Sequence, residues 1–403
     1  MLSRLRSHRS AITFDLGRAG IRAYQLQSRG GRLSRCDSLQ LDLPPVVRPP
    51  PDVVRPPPDG APEDQETAPP PVPTHIGTGR LARLVGQGSF YGREIALILP
   101  PADVQFQAFR LPERVLSEGD ERIQAALKWE VSRETRSEPA DLEVRHWLLP
   151  PGHHQGLNVM AATVATRQAV QWFELFARHH LYLRRLDVSP CAIVRAGCQV
   201  WTPAENELWG ILDIGFHQAS LTIVVGHTPT YIRSLSATTD QWTRQLATAL
   251  DVPGAVAERL KREHGIRPVE RGFGRSTGEG AVLEQLDAEA LPGVFFGLLR
   301  ESFDTLVQDV NRCFSYILQN FTDLNVSRLF LAGGGAHLRG FASFLDMQLG
   351  VSVFPLTTSV DQENAEGIGQ PESSGPACKL PAIEFGPTVA AAVGGAILDL
   401  EAA

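Results

Sequence analysis

The sequence predicts an α/β protein of two similar lobes, with a small α+β subdomain inserted in the first. Three observations carry that prediction. Ile12–Leu26 reads as an apolar strand, an Asp-x-Gly turn and a second, alternating strand, and Ile211–Val225 repeats the pattern. Placing Asp15 on Asp213 puts Gly17 on Gly215 and Leu26 on Val224, as expected of a duplicated architecture with a site between its halves. Val326–Phe341 runs from a buried strand through Gly333, Gly334 and Gly335 into a helix, a junction that lets a ligand approach the backbone.

At 403 residues the chain exceeds one ordinary core. Its 43% hydrophobic and 21% charged residues are globular values, and a net charge of −7 argues against nucleic acid or an anionic membrane surface as the main partner. The five cysteines contain no CxxC pair, which favours reduced thiols in a cytoplasm over a disulfide framework or zinc site. No run approaches the ~18 apolar residues of a spanning helix. The basic stretch Met1–Ser10 leads straight into a strand without an apolar h-region, so no signal peptide is expected.

Residues 1–93 are expected to form the core of the first lobe, with a third strand at Ser38–Leu43 after a Gly-Gly turn. Residues 44–75 are a Pro-rich segment, with thirteen prolines between Pro44 and Pro73, read as an extended loop. A short helix is expected near Gly79. Residues 94–186 read as the inserted subdomain: strands at Glu94–Pro100 and Val104–Leu111, a helix over 119–133, strands at Leu142–Leu149 and Leu157–Ala165, and a helix from Arg167 to His180. His153-His154 and His179-His180 have no acid or Cys at ligand spacing and read as surface histidines. Residues 187–206 return to the first lobe, with a helix from Pro190, a favoured first helical position.

The second lobe is expected over 207–384, mostly helical between 241 and 324. Its helices are Gln241–Leu250, a second to His264 capped by Asp251, and a long amphipathic one over Gly297–Phe321. Gly265–Gly280 and Asp361–Pro381 read as loops. Residues 385–403 form a small-residue helix expected to pack on the first lobe.

Two Asp-x-Gly hairpins, a strand–Gly-Gly-Gly–helix junction and a final Ala/Gly helix, in that order, resemble the superfamily of actin-like proteins, sugar kinases and heat-shock chaperones. Within it the chain is similar to the PilM family of type IV pilus assembly, and to the related FtsA family. The inserted unit, Ala125–Glu130 with its Trp-Glu ending, Ala257-Glu258-Arg259-Leu260-Lys261 and Leu331–Gly340 carry that similarity. The resemblance implies an actin-like fold with ATP in the cleft. The tips around Gly17 and Gly215 would offer backbone N–H groups to the phosphates, and Asp15 and Asp213 would hold Mg2+ through water. Glu258 and Lys261 would face the ribose, and Gly333, Gly334 and Gly335 the adenosine. It also implies a cytoplasmic scaffold of pilus or type II secretion assembly, peripheral to the inner membrane, that docks the short N-terminal cytoplasmic tail of a PilN-like partner, with self-association as a further possibility and no nucleic acid.

The departures from the family pattern bear on chemistry. The first tip is Arg18-Ala19-Gly20, where Arg18 pairs with a phosphate oxygen or fills the phosphate site. Arg22 stands where the family often has Lys. The second tip is Phe216-His217-Gln218, and Ser236–Thr239 replaces the usual Gly-Gly. His217 and Gln218 are the candidates for orienting a water, against a reading in which they pack the tip. Two rival functions follow from the same residues: a small-molecule kinase or ATPase, for which Asp187 is the nearest candidate base, and a degenerate scaffold that no longer binds nucleotide.

Overall fold

A computed structural model describes residues 7–17, 20–29, 32–42, 88–151, 156–268, 289–321, 324–358 and 385–401, with Leu81, Val85 and Gly86. The Pro-rich 44–75 segment, most of the helix expected near Gly79, Arg18, the His153-His154 pair and the 361–381 loop lie outside them.

The first lobe grows outward from its hairpin. After the short β1 (Ser7–Arg9), β2 (Ile12–Leu16) and β3 (Gly20–Arg29) pair antiparallel, with Asp15 opposite Arg22, and β4 (Arg32–Asp42) adds on β3. On the other side β5 (Glu94–Leu99) lies parallel to β2. Both strands are buried on both faces, as a sheet covered by helices requires.

The chain then leaves this sheet to build another, in which β6 (Gln105–Phe109), β7 (Leu142–Leu148) and β8 (Val159–Ala165) are ordered β6-β8-β7. A short α1 (Glu113–Ser117) precedes α2 (Asp120–Thr135), which buries Ile123, Leu127 and Val131 against this sheet. Helix α3 (Thr166–Ala177) inserts Trp172 and Phe176 into the first-lobe core, and β9 (Tyr182–Val188) returns parallel to β5. The separate sheet is therefore narrower than the span 94–186: β5 and β9, at its two ends, are strands of the first sheet.

Helix α4 (Ser189–Val200) leads to the second lobe, where the pairing pattern repeats. Strands β10 (Leu208–Ile214), β11 (Ala219–Val225) and β12 (Thr228–Leu235) are antiparallel, as β2, β3 and β4 are. Helices α5 (Thr239–Ala249), α6 (Gly254–His264) and α7 (Leu291–Asn320) follow, and then β13 (Val326–Ala332), α8 (Phe341–Leu349) and β14 (Ser352–Pro355). β13 and β14 continue the sheet in parallel, as β5 and β9 do in the first lobe. Trp242, Phe303, Phe341 and Phe344 form the aromatic centre of this lobe, with rings 5.1–6.3 Å apart.

Two helix starts differ from expectation. α7 begins at Leu291, because Phe295 and Phe296 are buried and supply packing that outweighs the glycines on either side of them. The N-cap of α6 is Pro253, without a side-chain cap, and Asp251 instead adopts a left-handed backbone, φ 51°.

Helix α9 (Ala390–Glu401) closes the molecule by packing on α4, β2, β3 and β5. Its crossing with α4 is close enough that a Cβ on Gly394 would lie 1.7 Å from the Ala192 carbonyl oxygen. Arg185 pairs with Asp399 at 3.2 Å, Asp399 accepts the Ala11 N–H at 2.5 Å, and Arg195 Nε donates to the Gly394 carbonyl at 3.0 Å. Trp209, Ile211 and Phe330 of the second sheet share a core with Tyr24 and Ile98 of the first through these helices. No helix of the described residues is long and apolar enough to cross a membrane.

Candidate functional site

The duplicated hairpins bring Asp15 and Asp213 to one place. Each aspartate is the last residue but one of its strand, and each stands opposite the residue seven positions later, Arg22 for Asp15 and Ser220 for Asp213. The geometry is the same; the chemistry is not. Arg22 Nη1 donates to Asp15 Oδ2 at 3.4 Å, with the two side chains 16% and 22% exposed. Burial raises the Asp15 pKa above the ordinary carboxylate value, and the charge and hydrogen bond of Arg22 oppose that rise. Asp213 is pushed up to about 7, first by burial and then by the negative charge of Asp15, with Arg22 pulling the other way. The two carboxylates thus act on each other, with the Arg22 guanidinium set against Asp15.

The second tip is anchored at α5. The Gly215 N–H closes the turn on the Gln218 carbonyl at 2.8 Å, and the Thr239 and Asp240 N–H groups donate to the Gly215 and Phe216 carbonyls, each at 3.1 Å. Thr238 caps the helix by accepting from the Gln241 N–H at 3.3 Å. The Ser236–Thr239 stretch that replaces Gly-Gly therefore docks the helix N-terminus on the tip. His217 Nδ1 lies 3.4 Å from Asp240 Oδ2, which Arg244 also holds at 2.6 Å. That contact favours the tip-packing reading of His217.

The three glycines do different work. Gly333 has φ 74°, and a Cβ there would meet Asp213 Oδ1 and the Ile214 carbonyl oxygen, each at 2.5 Å, so only glycine lets this loop seat against the aspartate. Gly335 packs on Ile214, while the Cβ direction of Gly334 is open. Gly334–His337 form a single 3-10 turn, and the Gly333 N–H donates to the Pro387 carbonyl at 3.0 Å, tying the loop to the segment before α9.

Glu258 and Lys261 lie one turn apart on α6, but Lys261 is buried, 4% exposed. Its ammonium contacts Glu258 Oε2 at 2.6 Å, Thr243 Oγ1 at 2.6 Å and the Thr239 carbonyl at 3.0 Å. An ammonium has three donors, and these partners use all of them. Burial lowers the Lys261 pKa against the pull of Glu258. Burial alone would raise Glu258, but the charge of Lys261 and the hydrogen bonds from Lys261, Thr243 and Arg262 outweigh it and hold the carboxyl below its ordinary value. The pair thereby fastens α6 to α5. Asp187 is likewise engaged, by Arg195 and by the Val188 N–H at 2.8 Å.

Arg22 is the residue whose role the sequence left open. The signal was its position opposite Asp15 across a hairpin of known length.

No protein-family model matches the chain, and no curated protein matches it. Among solved structures, it is similar to a chain of the PilM-PilN type IV pilus biogenesis complex at 19% identity and TM-score 0.67, covering 97% of this chain and 98% of that one. The chain has the PilM-type, actin-like fold. Weaker likenesses extend to MreB5 of Spiroplasma citri bound to ADP, at 11% identity and TM-score 0.45, covering 98% and 97% of the two chains. The cytoplasmic domain of EpsL, an inner-membrane component of the Vibrio cholerae type II secretion system, matches at 13% identity and TM-score 0.34, covering 61% of this chain and 76% of that one.

Magnesium fits this PilM-type cleft only in part. Two carboxylates that repel each other offer the hard oxygen donors it takes. Among the described residues no group of three or more His, Cys, Asp or Glu could hold a metal ion, so most of the coordination shell would have to come from water and a ligand.

Proposed function

We propose that this protein is a nucleotide-binding scaffold of pilus or secretion assembly, in which Mg2+ and ATP occupy the cleft between Asp15 and Asp213 and bias the docking of a membrane partner. The observation that carries the reading is the pair of identical Asp-x-Gly hairpins converging on one charge-deficient site, with the Gly333 loop seated against Asp213. When bound, the ion would neutralise the phosphates. The aspartates would hold it through water, Gly333 would keep the loop low enough for a ligand, and the 215–218 turn would present backbone at the phosphates.

The scaffold role is supported by the match over 97% of this chain to a chain of the PilM-PilN type IV pilus biogenesis complex. On that analogy the partner is the short N-terminal tail of a PilN-like inner-membrane protein, and the chain is cytoplasmic, held at the membrane by that tail. Asp187 is occupied and His217 is paired, so the residues present favour binding over turnover. Titration with a fluorescent ATP analogue, with and without Mg2+, followed by a phosphate-release assay, tests this. Mg2+-dependent binding without turnover is expected. Steady transfer to a sugar or acid acceptor would replace the reading with a kinase. Absence of binding in wild type, restored by Arg18→Ser, would make it a degenerate scaffold.

A further inference from the structure

Among the described residues, Arg22 is the charged partner that the hairpins place opposite an aspartate, since its counterpart in the second lobe is Ser220. Its guanidinium lies beneath the first turn: a Cβ on Gly17 would be 3.2 Å from Nη1. Nη1 faces Asp15 at 3.4 Å, while Nε is buried with no partner among the described residues. The side chain is therefore held by the carboxylate at its tip and by packing along its stem. Among the described residues two carboxylates and one guanidinium leave at most a single negative charge to attract a hydrated dication.

We propose that Arg22 is the built-in counter-ion of the aspartate pair, and that a divalent cation reaches Asp15 only by displacing it, so that the cleft excludes free Mg2+. The inference rests on reading the cleft as a metal–nucleotide site and adds how that site is loaded: the ion enters with the nucleotide, not before it. In the nucleotide-free state Arg22 keeps the carboxylates from driving the lobes apart.

The test uses the full chain without nucleotide and Mn2+ as a paramagnetic stand-in for Mg2+, with free Mn2+ followed by EPR. Arg22→Gln keeps the size of the side chain and removes its charge. It is expected to bind Mn2+ at least about tenfold more tightly than wild type, which equals about 1.4 kcal/mol. Arg22→Lys, which keeps the charge, should behave as wild type, and Asp15→Asn on the Arg22→Gln background should abolish the gain. Equal affinity in wild type and Arg22→Gln overturns the proposal, as does a gain that survives Asp15→Asn. Should Arg22→Gln fail to fold without metal, recovery of its circular dichroism on adding Mn2+ supports the proposal, and no recovery overturns it. Because the assay contains no nucleotide, a failed fluorescent-ATP titration removes the nucleotide reading without touching this result.

Discussion

Replacing Glu258 should cost more stability than replacing Lys261, although the two form one ion pair. Lys261 is 5% exposed at its side chain, and Glu258 is 25% exposed. Removing Glu258 by Glu258→Gln leaves an ammonium buried with only Thr243 and the Thr239 carbonyl. An uncompensated buried charge costs about 3–5 kcal/mol, and the retained amide oxygen places this variant near the lower end, at about 3. Removing Lys261 by Lys261→Met leaves Glu258 bonded to Thr243 at 2.5 Å and to Arg262 at 2.7 Å with access to water, and the Met fills the same channel. That loss should be about 1–2 kcal/mol. Urea denaturation at pH 7 reads both values directly, and the double variant should lie close to Lys261→Met. The pH dependence is diagnostic as well. A lysine whose folded pKa is depressed binds fewer protons than the unfolded chain between that pKa and 10.5, so Glu258→Gln should regain stability as pH rises through this window. If Lys261→Met proves the more damaging, or the stability of Glu258→Gln is flat with pH, the pair is not what fastens α6 to α5.

Asp213 has a folded pKa raised to about 7 from 3.8, so the stability it contributes is complete below pH 3.8 and is lost as pH rises through 7. At ~1.36 kcal/mol per pH unit this bounds the loss at about 4 kcal/mol, and Asp213→Asn should flatten the slope in nucleotide-free urea titrations; an unchanged slope refutes the assignment. Gly394→Ala puts a methyl 1.7 Å from the Ala192 carbonyl oxygen and must part α4 from α9, so a loss of about 3 kcal/mol or more is expected, read by thermal unfolding. Trp147 Nε1 donates to the Pro229 carbonyl at 2.7 Å, bridging the inserted sheet to β12. Trp147→Phe should cost about 1 kcal/mol and speed amide exchange in β12, and unchanged exchange there would show that the bridge carries no restraint.

The hairpins were legible because their signals are local: a period-two pattern on each side of an Asp-x-Gly turn survives any packing. The two-lobed arrangement followed from their repetition, and, β1 apart, the two sheets share one pairing pattern. What sequence could not resolve depends on which sheet a strand joins. Glu94–Leu99 and Tyr182–Val188 read as strands in either sheet, and only their pairing with β2 and with each other shows that they belong to the first. The fate of Lys261 was hidden for a similar reason. Its partners Thr239 and Thr243 lie on another helix, about twenty residues back, and only the α5–α6 packing brings them together. A Glu and a Lys one turn apart look like a solvent-facing pair until the neighbouring helix buries one of them.

Duplication alone would make this cleft symmetric, and a symmetric pair of carboxylates would only repel. The asymmetry sits at one strand position, seven residues past each aspartate. Ser220 is neutral and buried, and Asp213 is pushed up to about 7, first by burial and then by the charge of Asp15. Arg22 is charged and turned to Asp15: burial raises the Asp15 pKa, and the charge and hydrogen bond of Arg22 oppose that rise. One lobe therefore carries its own cation and the other waits for one. A lobe that waits for positive charge, facing a loop that only glycine can bring against it, is arranged to respond to what enters the cleft. On the scaffold reading proposed above, ligand entry would supply the energy that draws the lobes together, and that energy would bias the docking of a partner.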